Sequence, residues 1–406
     1  MKQIISFLIL VAAASCIDPY TLNLKNYKSL LVVEGLITNE NSSYKIKLYR
    51  TTSQENSVPE KVTDANLYIA DNAGVQTHLK NCGDGSYMTD SATFTGVIGN
   101  VYTLQILTSD GKEYKSEPCT MIPVAGIASV YYEKGEELSG SQAGTLSGIK
   151  VFLNTGDASG MNLYFRWEFE EVWKFISPSP PRYIYIDDST ILPINVVNDL
   201  CFKRNASEEI LTNSILPGGE NTISKEQIQF IPPVISDRLT YEYSIEIKQY
   251  SVSKKEFDFW NNLKKVNESG GDIFDSQPYP VISNIRNVND AGEMVLGYFE
   301  VSAIEKKRIF ITARELDPLF LPHYTYDCTE VERSQDDYIS PGTLGHTPSW
   351  DEIYQMFMSA GDFVFIEPRY NPVTGALIKL VFARKICSDC GLTGTVKKPD
   401  FWIDLE

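Results

Sequence analysis

A succession of short strand-forming runs, each closed by a turn signal, constrains the fold more than any other feature of this chain. The runs are rich in Val, Ile, Tyr and Thr, as in YKIKLYR and VYTLQILT, and clusters of Asp, Asn and Gly separate them. In YKIKLYR, Ile46 and Leu48 alternate with Lys45 and Lys47, which is the period of a strand with one face in water. About seven such strands in roughly 90 residues predict an immunoglobulin-like β-sandwich over residues 29–123.

The remainder of the chain, residues 124–406, combines further strand candidates with two helix signals. Runs such as GIKVFLN, YEYSIEIKQYSV and LIKLVFAR continue the β texture. The capping box Ser253-Lys-Lys-Glu256 predicts a helix near 253–267, and Ser349-Trp-Asp-Glu352 predicts another near 349–360. We therefore expect a mainly β protein in which the first sandwich is followed by a larger β-rich domain, a second sandwich with inserted helices.

The start of the chain has the pattern of a lipoprotein export signal. Lys2 supplies a positive charge, residues 4–14 form a nearly uninterrupted apolar stretch, and small residues directly precede Cys16. The apolar stretch is too short to cross a bilayer of about 30 Å as a helix. We expect residues 1–15 to be a cleaved signal peptide, Cys16 to carry the lipid, and residues 16–28 to be a tether. A soluble secreted protein with a chance cysteine here is the alternative.

The charge balance argues against two classes of partner. The chain carries 36 Lys and Arg against 53 Asp and Glu, a formal net charge of −17. Nucleic acids are bound by neutralising phosphates with basic side chains, so an acidic chain is a poor candidate for that role. The same acidity disfavours electrostatic adhesion to anionic lipid. Acyl chains on Cys16 are then the expected membrane contact.

Six cysteines remain once Cys16 is set aside, and an even number in an exported chain favours disulfides. They are Cys82, Cys119, Cys201, Cys328, Cys387 and Cys390. We expect Cys82 to pair with Cys119 within the first domain. In the second domain we expect Cys328 to join one cysteine of the Cys-x-x-Cys motif and Cys201 to join the other. A direct Cys387–Cys390 bridge stays open.

Motifs of the common catalytic chemistries are missing from the sequence. The histidines are His78, His323 and His346, and none stands in a His-Glu-x-x-His or other clustered metal spacing. No Gly-x-Ser-x-Gly elbow and no Gly-rich phosphate loop occurs. The Cys-x-x-Cys motif leads into a Gly-rich tail rather than into a thioredoxin-like βαβ unit. We therefore expect a protein without a metal, a cofactor or an enzymatic activity.

Carboxylate pairs are the one catalytic device that spacing in the sequence does not reveal. Glu168, Glu170 and Glu171 lie in the aromatic-rich run YFRWEFEEVWKF, where the acid of a glycan hydrolase could stand. Solvated strand residues explain them more simply, because acidic side chains stay exposed as a rule. A carboxylate-dependent glycan hydrolase is therefore an alternative function.

The same run holds the candidate recognition surface. Phe165, Trp167 and Phe169 alternate with charged residues, which predicts that they form the buried face of a strand. Trp173 and Phe175 approach a proline-rich loop, and we expect them to be exposed contacts for a ligand or partner.

Several ordered segments carry a resemblance to a known family. They are CIDP at 16–19, LVVEGLIT at 31–38, YSIEIKQY at 243–250, FW at 259–260, LGYFEVS at 296–302, and the tail from CSDC to KPDFW at 387–402. In this order they resemble the Bacteroidota lipoproteins classed as domain of unknown function 4249. The resemblance implies a surface-facing outer-membrane lipoprotein, commonly encoded beside a TonB-dependent transporter. It implies no reaction, and the only residue role that it carries over is lipid attachment at Cys16.

These observations lead to one expected function and two alternatives. We expect a non-enzymatic accessory lipoprotein, a ligand-capture or lid subunit, that works with a TonB-dependent outer-membrane β-barrel transporter in nutrient uptake. The alternatives are the glycan hydrolase and a structural or adhesive surface lipoprotein. For the ligand, a peptide and a glycan both stay open.

Overall fold

The computed structural model describes residues 28–53, 58–138, 144–159, 164–195, 199–216, 218–268, 281–316, 327–338 and 346–405. The signal segment, Cys16, most of the tether and His323 lie outside these ranges. Within them the chain is mainly β, which confirms the predicted class. None of the helices described is long and apolar enough to span a bilayer.

The strands are numbered along the chain. Those up to residue 120 are β1 (Leu31–Ile37), β2 (Lys45–Arg50), β3 (Glu60–Lys61), β4 (Asn66–Asp71), β5 (Gln76–His78), β6 (Lys80–Asn81), β7 (Ser86–Met88), β8 (Val101–Leu107), β9 (Glu113–Ser116) and β10 (Cys119–Thr120). The middle strands are β11 (Ile127–Leu138), β12 (Thr145–Thr155), β13 (Tyr164–Ile176), β14 (Tyr183–Asp187), β15 (Thr190–Pro193), β16 (Leu200–Ala206), β17 (Leu211–Ser214), β18 (Glu226–Ile231) and β19 (Glu242–Ser251). The last are β20 (Ile285–Asn287), β21 (Val295–Val301), β22 (Ile304–Thr312), β23 (Val331–Arg333), β24 (Phe363–Tyr370) and β25 (Leu377–Arg384).

Three α-helices accompany the strands: α1 (Lys254–Glu268), α2 (Trp350–Ser359) and the short α3 (Lys385–Ser388). The first two lie where their capping boxes predict them. At α2 the box is complete, since Ser349 accepts from the Glu352 backbone and the Glu352 side chain accepts from the Ser349 backbone. At α1 only half of the box forms. The Glu256 backbone N–H donates to Ser253 Oγ at 3.2 Å, but the Glu256 carboxyl turns into the protein interior.

Two sheets pack face to face to form the first sandwich. One has the strand order β21-β1-β2-β7-β6, with β3 beside β2, and the other has β20-β9-β8-β4-β5, with β10 beside β8. Leu31 and Val33 from the first sheet meet Leu104 and Ile106 from the second in one apolar core. Because side chains alternate along a strand, the intervening residues of β1 face the other way, out of this core.

The predicted boundary of the first domain at 29–123 needs correction, because two later strands complete its sheets. Strand β21 pairs in parallel with β1, from Leu31 opposite Val295 to Ile37 opposite Val301. Strand β20 pairs with β9 in the other sheet. A parallel partner requires a long crossover, and here it contains the other strands of the first sandwich and most of the second.

A second sandwich follows, and its core is dominated by aromatic residues. Its sheets have the orders β11-β12-β18 and β16-β13-β19-β22, with β17 beside β13. Trp167 and Phe175 of β13 pack with Val151 and Leu153 of β12. A smaller carboxy-terminal module joins the hairpin β14-β15, helix α2 and the sheet β23-β25-β24 around a third apolar cluster.

Candidate ligand-binding site between the sandwiches

A cleft of about 600 Å³ lies between helix α1 and the outer face of the first sandwich. Its floor is the outward side of β1 and its two neighbours, β2 and β21. Strand β1 contributes Val32, Glu34 and Leu36, the residues that alternation turns away from the core. The α1 residues that line the cleft are Phe259, Trp260 and Leu263.

The floor combines apolar side chains with one charged pair. Glu34 stands at the centre, opposite Lys47 on β2 and Tyr298 on β21. Lys47 Nζ lies 3.6 Å from a Glu34 carboxylate oxygen, and Tyr49 donates its hydroxyl hydrogen to the other oxygen. Burial and the Glu34 carboxylate raise the pKa of Tyr49, which therefore remains a hydrogen-bond donor at neutral pH.

Arg166 of β13 closes the cleft at the side of the second sandwich. Its side chain is 4% exposed, and it donates through Nη2 to Glu300 Oε2 at 3.0 Å and through Nη1 to Glu168. The guanidinium carbon lies 4.5 Å from the Tyr250 ring centroid and 4.7 Å from that of Trp260, both cation–π distances. Burial alone would lower the pKa of Arg166, but the two carboxylates raise it above its ordinary value. Both terminal nitrogens of the guanidinium are therefore occupied by carboxylates, whereas the buried Nε has no hydrogen-bond partner among the described residues.

Glu256 and Glu300 form a buried carboxyl pair behind Arg166. Ser302 Oγ donates to Glu256 Oε1 at 3.2 Å, and the Trp260 indole N–H donates to Glu300 Oε2 at 3.2 Å. The two carboxyls are hydrogen-bonded to each other. Burial, and next the Glu300 charge, raise the pKa of Glu256 well above its ordinary value. The raised pKa favours the protonated form of Glu256, which can then donate its proton to Glu300 beside Arg166.

Cys119 lies beside this pair, and the predicted Cys82–Cys119 disulfide is wrong. The Cys119 thiol contacts Asn284 Nδ2 at 3.3 Å and the Phe299 carbonyl oxygen at 3.6 Å, whereas Cys82 is exposed after β6 in the opposite sheet. Burial, followed by the Glu256 charge, raises the pKa of Cys119 to about 12. The prediction from an even number of cysteines assumed that every one of them is bonded, but Cys82 and Cys119 are free thiols.

The other four cysteines form the two disulfides that the sequence favoured. Cys201 is bonded to Cys390, and Cys328 is bonded to Cys387. The alternative bridge within the Cys-x-x-Cys motif does not form. The Cys201–Cys390 bond joins β16 of the second sandwich to the tail of the carboxy-terminal module.

The expectation that Trp173 and Phe175 are exposed contacts is wrong. Trp173 is 6% exposed and donates its indole N–H to Asp237 Oδ1 at 3.1 Å, and Phe175 is 1% exposed. Both lie on the odd-numbered face of β13 that begins with Phe165. The alternation of buried and partly exposed residues therefore extends beyond Phe169, where the prediction ended it. The predicted burial of Phe165, Trp167 and Phe169 is confirmed.

Glu171 lies on the same odd-numbered face and is fully buried, which corrects its interpretation as a solvated strand residue. Its carboxylate accepts from the Tyr243 hydroxyl at 2.6 Å, from Asn205 at 3.0 Å, and from Gln229 and Arg238 at 3.2 Å. These partners compensate a buried charge, as they must in an apolar interior. Glu168 and Glu170 lie on the even-numbered face and remain partly exposed.

The residues that enclose the cleft were not predicted from the sequence. Arg166 and Glu168 alternate with aromatic residues, which suggested an ordinary wet face, but α1 and β21 cover that face. The His78 ring lies 5.6 Å from the Tyr68 ring at a tilt of 47°, His346 pairs with Glu352, and neither histidine lines the cleft. The residues that the structure describes contain no cluster able to hold a metal ion.

The comparisons with known proteins identify one family. A protein-family model described as domain of unknown function (DUF4249) matches residues 17–308. No curated protein matches the sequence. A solved structure described as manganese lipoxygenase of Gaeumannomyces graminis, with part of zonadhesin of Komagataella pastoris, is similar at 11% identity. That similarity covers 59% of this chain and 91% of the other, and its TM-score of 0.12 is too low to carry an argument.

Proposed function

Because the chain belongs to the family of domain of unknown function 4249, we propose that it is a surface-exposed outer-membrane lipoprotein that captures a ligand for a TonB-dependent transporter in nutrient uptake. The protein acts without catalysis, and acyl chains on Cys16 hold it at the membrane. Its cleft takes up the ligand, and the transporter receives it.

The observation that carries this proposal is the cleft between α1 and the first sandwich. Ligand sites favour concave, largely apolar pockets at domain interfaces, with volumes of about 300–1,000 Å³ and a few polar groups. The cleft has about 600 Å³, apolar walls, and residues from both sandwiches. Segments 31–38, 259–260 and 296–302, which carry the family resemblance, meet around it.

The buried ion pair suits a capture site more than a catalytic one. The two catalytic carboxyls of a glycosidase stand about 5–5.5 Å apart in retaining enzymes and about 6.5–9.5 Å apart in inverting ones. Glu256 and Glu300 are directly hydrogen-bonded, which is closer than either separation. Arg166 is ion-paired with both Glu168 and Glu300. A glycan hydrolase therefore remains the second reading, and release of products from a glycan panel would support it.

Crosslinking in the native membrane tests the transporter assignment. We expect a tagged full-length chain, extracted with mild detergent after crosslinking, to co-purify with a TonB-dependent β-barrel. Cys16→Ala should move the chain out of the membrane fraction and abolish this co-purification, whereas Cys82→Ala, a change at a free exposed cysteine, should preserve both. Membrane localisation without any co-purified barrel would favour the structural or adhesive alternative.

A further inference from the structure

The polar groups around the cleft restrict the kind of ligand that fits. Among the described residues that line it, side-chain polarity comes from carboxylates, ammonium groups, one guanidinium, two phenols and one indole. Asn, Gln, Ser, Thr and His do not occur in this lining. A sugar has no ionic group to match these charges. The lining offers charges of both signs beside an apolar centre.

The charges that a ligand can reach lie on the floor and rim. The side chains of Glu34 and Lys47 are about half exposed, and Glu168 is 40% exposed. Lys45 is exposed on the same face of β2. Arg166 cannot serve as the main anion site, because two carboxylates and two aromatic rings already surround it. Lys47 already pairs with Glu34, and Glu168 with Arg166, so a ligand carboxylate would use Lys45 and a ligand ammonium the exposed part of the Glu34 carboxylate.

The apolar centre determines what lies between those charges. Phe259 and Leu263 of α1 line the cleft together with Leu36 and Leu296 of the floor. Apolar side chains of a ligand would be buried there at a gain of roughly 25 cal/mol per Å². A molecule with an ammonium group, a carboxylate and an apolar body satisfies every part of this lining.

We infer that the cleft between α1 and the first sandwich binds a short apolar peptide with free amino and carboxyl termini. The inference rests on the proposed capture function and names its ligand class. Glu34 holds the amino terminus, Lys45 holds the carboxyl terminus, and the apolar side chains lie against Leu263 and Phe259. The peptide is bound without any covalent step.

Titration calorimetry on the purified full-length chain in detergent tests this assignment. The probes are trileucine, N-acetyl-trileucine, trileucine amide and maltotriose. We expect trileucine to bind, and blocking either terminus to weaken binding at least about tenfold, because each block removes a charge-assisted contact. Equal affinity for blocked and free peptides, or binding of maltotriose in place of trileucine, would overturn the inference.

A pair of variants ties each terminus to its residues. Lys45→Gln should weaken trileucine binding about tenfold and leave trileucine amide at its native affinity, since the amide has no carboxylate to lose. Glu34→Gln should weaken trileucine binding about tenfold and leave N-acetyl-trileucine at its native affinity, since the acetylated peptide has no ammonium group. Lys265→Gln, on an exposed part of α1 outside the cleft, is the matched control and should bind all probes as the native chain does.

This experiment and the crosslinking experiment fail independently. Calorimetry needs no transporter, and crosslinking needs no peptide. Trileucine binding without a co-purified barrel would contradict the transporter assignment alone. A co-purified barrel without trileucine binding would contradict the peptide assignment alone.

Discussion

Arg166 Nη2 lies 3.0 Å from Glu300 Oε2, and this ion pair joins an interior strand of the second sandwich to an edge strand of the first. Both side chains are nearly excluded from water. Trp260 of α1 donates to the same carboxylate oxygen. One guanidinium therefore connects β13, β21 and α1, three of the elements that line the cleft.

Loss of this connection should destabilise the fold strongly. Arg166→Ala leaves buried carboxylates without their cation, so we expect a loss of about 3–5 kcal/mol in the free energy of unfolding by urea. Arg166→Lys should recover only part of this loss, because an ammonium lacks the planar fork that binds two carboxylates. Arg204→Lys is the matched control: Arg204 pairs with Glu170 at 3.8 Å on the surface, so its cost should stay below about 1 kcal/mol. Similar costs for Arg166→Lys and Arg204→Lys would contradict this account.

The buried carboxyl pair should make the stability depend on pH. The pKa of Glu256 is raised in the folded state from its ordinary value of 4.5, so the unfolded chain releases this proton more readily. The stabilisation by protonated Glu256 is complete below pH 4.5 and is lost as the pH rises towards the raised pKa.

Glu256→Gln cannot ionise and keeps a donor for Glu300, so it should escape this loss. The free energy of unfolding of the variant should rise relative to that of the native chain by up to about 1.4 kcal/mol per pH unit above pH 4.5, until the folded pKa is reached. Urea unfolding between pH 4 and 8 measures the difference. Glu268→Gln, at the exposed end of the same helix, should follow the native profile. A constant difference between Glu256→Gln and the native chain across that range would be inconsistent with a raised pKa.

The two free thiols should react at very different rates. Cys82 is exposed, whereas Cys119 is buried and its pKa is raised to about 12. Since the thiolate is the nucleophile, iodoacetamide at pH 8 should alkylate Cys82 quickly and Cys119 only after unfolding. Mass spectrometry of the non-reduced digest reads out both sites. Recovery of two peptides linked through Cys82 and Cys119 would show that these cysteines are bonded to each other and would contradict this prediction.

Gly297 should tolerate no side chain in the cleft floor. Its φ is +80°, and a Cβ there would collide with the Val33 carbonyl oxygen on the neighbouring strand. Gly297→Ala should therefore cost about 3 kcal/mol or more, from the strained backbone and the clash together. Gly74→Ala, with φ +83° and open space around it, should cost only about 1–2 kcal/mol for the backbone. Thermal or urea unfolding compares the two, and equal costs would argue against the close strand contact.

Local patterns predicted the elements of this fold, and they failed where distant segments meet. The capping boxes located α1 and α2, because a helix start depends on a few neighbouring residues. The pairing of β21 with β1 joins residues more than two hundred and fifty positions apart, and no local pattern indicates a strand's partner. The first domain was therefore predicted as one contiguous segment.

The candidate site illustrates the same limit at the level of single residues. The sequence pattern is sufficient to predict the odd-numbered face of β13 as far as Phe175. Strict alternation would have placed Glu171 and Trp173 in the core of the second sandwich. Burial of Arg166 on the even-numbered face depends on α1 and β21, which cover it from elsewhere in the chain. The Glu256 side chain was assigned to a helix cap, but a partner on β21 draws it inward.

Hydrogen exchange with and without trileucine tests most directly whether the cleft is the ligand site. Mass spectrometry of the full-length chain should show slower amide exchange in β1, β21 and α1 when trileucine is present at saturating concentration. The carboxy-terminal module, including α2, should exchange at the same rate in both samples. Protection in that module, or unchanged exchange in β1, β21 and α1, would contradict the cleft as the site of capture.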